Sequence, residues 1–161
     1  MRFGIELGFQ LPRPWSRESE HELYESRLVI AELADQLGFD SLWVEEHHFL
    51  EEYCHLSSPE VFLAACTQRT TQIRLGFGVM LLPPMINNPV RSAEKVAALD
   101  LLANGRVEFG VGSSSDRLGS TAWGMDWDRR QDMTEEVLGQ VVRMMVEEPY
   151  RGYDGVHFSF A

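Results

Sequence analysis

Apolar and polar positions alternate from Arg2 to Leu11 around Phe3, Ile5, Leu7 and Phe9, the signature of a strand, and Pro12 and Pro14 stop it. From Ser19 the period becomes helical. Leu23, Leu28, Ile30, Ala31, Ala34 and Leu37 hold one stripe, Ser19 and Glu22 read as a capping box, and Gly38 ends the segment. Ser41–Val44 is the second strand. Ser58-Pro59-Glu60 supplies a cap, a first-turn proline and an early acid for a helix that runs to about Gln68. Ile73 to Leu82 is an apolar third strand closed by Pro83-Pro84. Asn88-Pro89 opens a helix with Val90, Ala93, Val96, Ala97 and Leu101 on one side, and Asn104-Gly105 ends it. Val107 to Val111 is the fourth strand, followed by a long polar loop through Gly119 and Gly124. A last helix spans about Asp128 to Glu147, and Tyr150 to Phe160 reads as a hairpin turning at Asp154-Gly155.

Strand and helix therefore alternate, which predicts an α/β fold with a parallel sheet faced by helices and right-handed crossovers. The pattern leaves an open doubly wound sheet and a barrel as alternatives. Residues 1–161 read as a single domain of four β/α units with a C-terminal hairpin.

Composition narrows the function classes. A formal charge of −11 across 161 residues argues against nucleic acid, whose binders need a basic footprint. No apolar run approaches the ~18 residues of a membrane span, and the N-terminus lacks a signal-cleavage pattern. Cys54 and Cys66 have no metal-type spacing and read as buried thiols, so the cytoplasm is the expected compartment.

The chemistry concentrates where the second strand ends. Phe39 to Val44 is followed at once by Glu45-Glu46-His47-His48-Phe49, and strand ends in alternating β/α proteins are where a rigid sheet holds reactive loops. Histidine has the ordinary pKa best suited to moving a proton near neutral pH, which makes His47 a candidate general base, with His48 and Glu46 beside it. A metal site built from Glu45, Glu46, His47 and His48, with His55 nearby, is the competing use. Neighbouring residues on extended chain point apart, and the helical spacing of a His-Glu-x-x-His site is missing, so convergence on one ion is disfavoured.

Two glycine segments are further candidates. Gly76 and Gly78 interrupt the third strand, as glycines do at a bulge or a close backbone approach. Gly112, Ser113, Ser114 and Ser115 follow the fourth strand and offer space and hydroxyl donors. Trp123, Met125, Trp127, Met133, Met144 and Met145 crowd the last loop and helix. They read first as helix core and second as the wall of an apolar pocket. Arg129-Arg130 reads as a solvated face, and His21 and His157 have no assigned role.

These motifs resemble the bacterial luciferase-like flavin monooxygenases. The resemblance runs through Met1-Arg2-Phe3-Gly4, Gly38 to Trp43, Glu46-His47-His48-Phe49, Ile73-Arg74-Leu75-Gly76, Leu82-Pro83 and Asn88-Pro89-Val90-Arg91. It continues in Asn104-Gly105-Arg106, Phe109 to Gly112 and Tyr153-Asp154-Gly155. It implies a TIM-type (β/α)₈ barrel of which this chain supplies the N-terminal half, either truncated relative to the family or completed by a partner. It further implies reduced FMN delivered by a separate reductase, dioxygen, and a small organic substrate oxidised with His47 in proton transfer.

The resemblance also implies a non-proline cis peptide at Gly78-Val79 beneath the flavin ring, with Gly112, Ser113 and Ser114 near the cofactor. Ser113 stands where some relatives carry a phosphate-binding arginine, which leaves the phosphate contact open. Two alternatives accompany this reading. One is a deazaflavin-dependent oxidoreductase that transfers hydride without dioxygen. The other is a non-catalytic half-barrel or dimerising scaffold, because four parallel strands leave edges that favour a homo-oligomer.

Overall fold

The computed structural model describes residues 1–161. In chain order it contains β1 (Gly4–Leu7), α1 (Ser19–Gln36), β2 (Ser41–Val44), α2 (Pro59–Thr67), β3 (Arg74–Phe77), β4 (Met80–Leu81) and α3 (Pro89–Leu102). Then come β5 (Val107–Glu108), β6 (Val111–Gly112), α4 (Arg117–Ala122), a 3₁₀ turn (Trp127–Arg129), α5 (Arg130–Val146), β7 (Tyr153–Asp154) and β8 (Ser159–Phe160). The chain divides into two compact units, Met1–Met80 with Leu99–Gly110, and Leu81–Ala98 with Val111–Ala161. The arrangement is mixed α/β with parallel strands alternating with helices, as the sequence pattern predicts.

Unit one holds a parallel sheet in the order β1-β2-β3-β5. Gly4 pairs with Ser41 and Ser41 with Arg74; one residue on, Leu42 pairs with Leu75 and Leu75 with Val107. Because side chains alternate along a strand, this register sorts them onto two faces. Leu7, Leu42, Val44, Leu75 and Phe77 are buried, and α2 packs against β3 and α1 with Phe62, Leu63 and Cys66 inside. Phe9, fully buried, completes this core edge-on to Tyr24 and Phe62, with ring centroids 5.2 and 5.0 Å away.

The other face carries Glu6, Trp43, Gly76 and Glu108 in register, flanked by Ser41 and Arg74. The Trp43 indole donates to Ser41 Oγ (2.9 Å) and lies where a Cβ on Gly76 would be. Arg74 Nε donates to the Glu108 carboxylate.

Three buried or half-buried polar side chains tie the strand entries together. The Asp35 carboxylate, at the end of α1, accepts hydrogen bonds from the backbone N–H groups of Thr71 (2.9 Å), Gln72 (2.9 Å) and Ile73 (2.6 Å). Arg106 donates to the carbonyls of Ala103 (2.8 Å), Ile73 (2.6 Å) and Thr70 (3.2 Å) and to Thr70 Oγ1 (3.1 Å). Asp100 accepts from Val107 N–H (3.0 Å). Buried donors left without partners are costly, so these contacts fix where β3 and β5 begin.

Several local expectations are corrected by tertiary contacts. The third and fourth strands are each interrupted. β3 stops at Phe77, the Gly78-Val79 peptide is cis, and pairing resumes with Met80 N–H donating to Gly110 O (2.9 Å). The fourth breaks at Phe109-Gly110, where a Cβ on Gly110 would overlap the Phe77 carbonyl oxygen. Ser19 does not cap α1: its Oγ accepts from Ser16 N–H (2.8 Å) and closes the preceding turn. Ser58 occupies the cap position of α2 without a side-chain cap bond, whereas Asn88 Oδ1 does cap α3, accepting from Val90 N–H (3.0 Å) and Arg91 N–H (3.3 Å).

In unit two, Leu82 N–H donates to Gly112 O (3.0 Å). The polar loop hides α4, which Asp116 caps by accepting from Leu118 N–H (3.0 Å) and Gly119 N–H (2.6 Å). Met125 and Met133 are buried, while Met144 and Met145 line an apolar cavity of about 410 Å³ with Val90, Ala97, Tyr150 and Phe160. Arg130 departs from the solvated reading: its guanidinium stacks 4.1 Å from the Trp127 ring centre. β7 and β8 pair antiparallel, and Gly155 N–H donates to Phe158 O (3.1 Å) in the turn. No helix is long and apolar enough to cross a membrane.

Both cysteines are free and buried, and burial pushes each thiol up to about 12. Thiolate is the reactive form, so neither should react with a thiol reagent in native protein at mildly alkaline pH, and both should react in urea. Fast native labelling of Cys66 would contradict its place in the core.

Candidate active site

The chain leaves β2 at Val44, runs without regular structure through Glu45-Glu46-His47 and bends at His48-Phe49. The four residues that follow Val44 form two acid–imidazole pairs. Glu45 Oε2 lies 3.4 Å from His47 Nε2, and Glu46 Oε1 lies 3.0 Å from His48 Nε2. The carboxylates are the buried members, with side chains 11% and 4% exposed, and the imidazoles are 18% and 15% exposed. They are two separate pairs, each between residues two apart.

The loop carrying these pairs is tied down along its length. Glu45 Oε1 accepts from Phe9 N–H (3.5 Å), and His47 N–H donates to Leu56 O (3.3 Å). The edge of Tyr53 meets the His47 ring at 5.3 Å between centroids. Phe49 and Glu52 adopt left-handed backbone, φ 63° and 58°, a conformation side chains rarely hold unless the surroundings enforce it.

The surroundings here are the loop after β1 and the N-terminal half of α1. Leu11 N–H donates to Glu52 O (2.9 Å), His55 N–H to Phe9 O (3.0 Å) and Tyr24 Oη to His55 O (2.9 Å). His55 Nδ1 meets Glu20 Oε1 at 2.8 Å. Beside them, burial first and then the negative charge of Glu45 hold the Cys54 thiol protonated.

Gly78 lies at the same end of the sheet. Val44 pairs with Phe77, and Gly78 N–H donates to Val44 O (2.7 Å), so the Gly78-Val79 peptide sits beside the strand end that launches Glu45. A Cβ at Gly78 would stand 3.3 Å from Trp43 Cβ, tighter than ordinary contact, which accounts for glycine there.

Gly112, Ser113 and Ser114 belong to unit two. Gly112 closes β6. Ser114 (φ 79°) commits its hydroxyl locally, donating to Asp116 O (3.2 Å) and accepting from Asp116 N–H (3.2 Å) and Ser120 Oγ (3.2 Å). The Ser113 hydroxyl makes no hydrogen bond within the protein.

Unit one thus brings together Glu46, His47, His48, Gly78 and Val79 from the sequence-level set. The addition is Glu45, considered at sequence level only as a metal ligand. The signal was present in the two-residue spacing of Glu45 and His47, which the folded loop converts into a pair.

Parallel strands alternating with helices, with acid–imidazole pairs at a strand end, define a β/α enzyme-like scaffold. The chain belongs to the luciferase-like monooxygenase family, whose model matches residues 1–161. It is 35% identical over 138 residues to the limonene 1,2-monooxygenase of Rhodococcus erythropolis, covering 84% of this chain and 35% of that protein.

Among solved structures, the monooxygenase RslO1 from Streptomyces bottropensis superposes with a TM-score of 0.89 at 32% identity, covering 99% of this chain and 47% of that one. The oxygenating constituent of 3,6-diketocamphane monooxygenase from Pseudomonas putida, solved with FMN, shares the fold at a TM-score of 0.86 and 22% identity, over 99% of this chain and 43% of that one. The chain spans about a third to two fifths of the length of the curated relatives it matches.

Proposed function

We propose that this chain carries the proton-handling wall of a flavin-dependent monooxygenase that uses reduced FMN and dioxygen to oxidise a small organic substrate in the cytoplasm. On this reading the chain forms the first half of a (β/α)₈ barrel and works with the remaining half or with a second copy, and a separate reductase supplies the reduced flavin. The observation that carries the reading is the Glu45–His47 and Glu46–His48 pairing at the strand end beside Gly78, within a chain of this family. Relatives that are monooxygenases, one solved with FMN, support it.

The residues present fit such a cofactor. The Gly78-Val79 peptide, at the strand end beside Val44 and Trp43, would lie beneath the flavin ring. Gly112, Ser113 and Ser114 lie in unit two and are assigned to the cofactor by the family resemblance alone. FMN, when bound, supplies the electrons and activates dioxygen. His47 then takes or returns a proton, Glu46 and His48 hold the opposite side of the loop, and the buried carboxylates keep both rings oriented.

The test is flavin binding followed by oxygen transfer. The protein should quench FMN fluorescence on titration and, supplied with reduced FMN and isotopically labelled dioxygen, place the label in limonene, the probe substrate. A protein that binds a deazaflavin in preference to FMN and transfers hydride without dioxygen would overturn the monooxygenase reading. So would one that binds neither.

A further inference from the structure

We infer that His55 is a positioning residue: its Nδ1–H, held by Glu20, and its backbone, held by Tyr24 and Phe9, seat the loop that carries His47. The bearing on catalysis rests on the proton-transfer role given to His47 above; the seating itself does not. Three segments meet at His55. Glu20 and Tyr24 stand four apart on α1 and so share a helix face. From that face Glu20 Oε1 meets His55 Nδ1 at 2.8 Å, and Tyr24 Oη donates to His55 O (2.9 Å). From the loop after β1, Phe9 O accepts from His55 N–H (3.0 Å). The residue is gripped at its N–H, its C=O and its ring. Leu56, next in the chain, is fully buried, and its carbonyl accepts from His47 N–H (3.3 Å). Where His55 sits therefore decides where that carbonyl stands. Tyr53, two residues earlier, adds the edge contact on the His47 ring.

The two ring nitrogens of His55 are unlike. Nδ1 is hydrogen-bonded to a carboxylate, which accepts only, so the single proton of the neutral ring belongs on Nδ1. Nε2 is buried and meets no donor or acceptor, and the ring packs edge-on to Trp15 with centroids 5.1 Å apart. The opposite tautomer would turn a lone pair toward Glu20 and bury an N–H without an acceptor, so both nitrogens favour the same form. Because Glu20 is largely exposed, its hydrogen bond alone would compete with water; the unpartnered Nε2 is the second, independent reason. The grip is anchored in the core as well, since Tyr24 and Phe9 pack edge-on to each other and to Phe62.

Long-range heteronuclear NMR of the imidazoles, on protein free of flavin and at pH above the imidazole titration range, tests this directly. Wild-type His55 should show a pyrrole-type Nδ1 and a pyridine-type Nε2, and a pyrrole-type Nε2 overturns the inference without recourse to any variant. In Glu20→Ala the Nδ1 signal should move; an unmoved signal overturns the hold by Glu20. In His55→Ala the His47 Cε1–H signal should leave its wild-type position. His55→Asn puts an amide N–H where Nδ1–H stands and should bring that signal back. His55→Gln fills more of the space but carries its amide to the Nε2 position, and should not. A His47 signal unmoved in His55→Ala, or restored by His55→Gln, would mean that the ring only fills space and overturns the inference. None of these readouts needs flavin or turnover, so failure of the monooxygenase reading would show in the oxygen-transfer assay and leave this result standing.

Discussion

Replacing His47 with alanine should lower oxygenation of the limonene probe by about 10²–10⁴-fold, the contribution usual for a positioned acid–base group, with little change in flavin affinity. The two effects separate because they arise on different residues. The flavin contact proposed above rests on the backbone at Gly78-Val79, which does not involve the imidazole. Removing the ring leaves the Glu45 carboxylate buried and facing a gap, so some local rearrangement accompanies the loss. His47→Gln, which fills the space and keeps polar atoms near Glu45 without titrating, controls for it and should be nearly as slow as His47→Ala. His48→Ala should have the smaller effect on turnover. Oxygenation within about threefold of wild type in both His47 variants would remove this residue from the mechanism, since a general acid–base group is worth far more than that.

What the chain reveals before folding depends on how local the determining interaction is. Ser41–Val44 is legible because a glycine stop, a short apolar run and a polar break are all adjacent in sequence, and the structure reproduces its bounds. The left-handed Gly38 and Gly105 ending α1 and α3 are legible for the same reason. The break in the third strand is signalled by Gly76 and Gly78, whereas the break in the fourth is not, because a Cβ on Gly110 would meet the Phe77 carbonyl, a backbone atom far away in sequence.

The short helix α4 escaped because its start depends on the geometry of Asp116, while the residues around Gly119 have the composition of a loop. Ser19 had the spacing of a capping box, but the turn at Ser16 took its hydroxyl first. The site divides in the same way. The histidines stand out by type and the two-residue spacing is in the sequence, but only the folded loop shows which acid serves which ring.

Asp35→Ala should destabilise the protein by about 3 kcal/mol, because a buried carboxylate that serves several donors cannot be removed without leaving them unpaired. Three consecutive backbone N–H groups, Thr71, Gln72 and Ile73, point at this one side chain, and Thr71 Oγ1 adds a fourth donor (3.3 Å). Water can reach the exposed end of the turn at Thr71 and recover part of the loss there, but Ile73 is buried and its N–H would stay unpaired. At about 2–4 °C per kcal/mol for a chain of this size, the melting temperature should fall by roughly 6–12 °C. Asp35→Asn should fall between the two, since one amide oxygen still accepts while the NH₂ group faces donors.

The pH dependence gives an independent check. Burial alone would raise the Asp35 carboxyl, but the backbone donors of Ile73, Thr71 and Gln72 together outweigh it and hold the group below its ordinary value. A depressed carboxylate contributes stability that is fully present above the unfolded value near ~3.9 and is lost as pH falls through the folded one. The gap in urea midpoint between wild type and Asp35→Ala should therefore stay constant from neutral pH down to about the unfolded value and narrow only below it. A gap that persists undiminished into strong acid would mean that the charge of Asp35 does not hold the turn. A variant as stable as wild type at neutral pH would show that the three N–H groups find other partners.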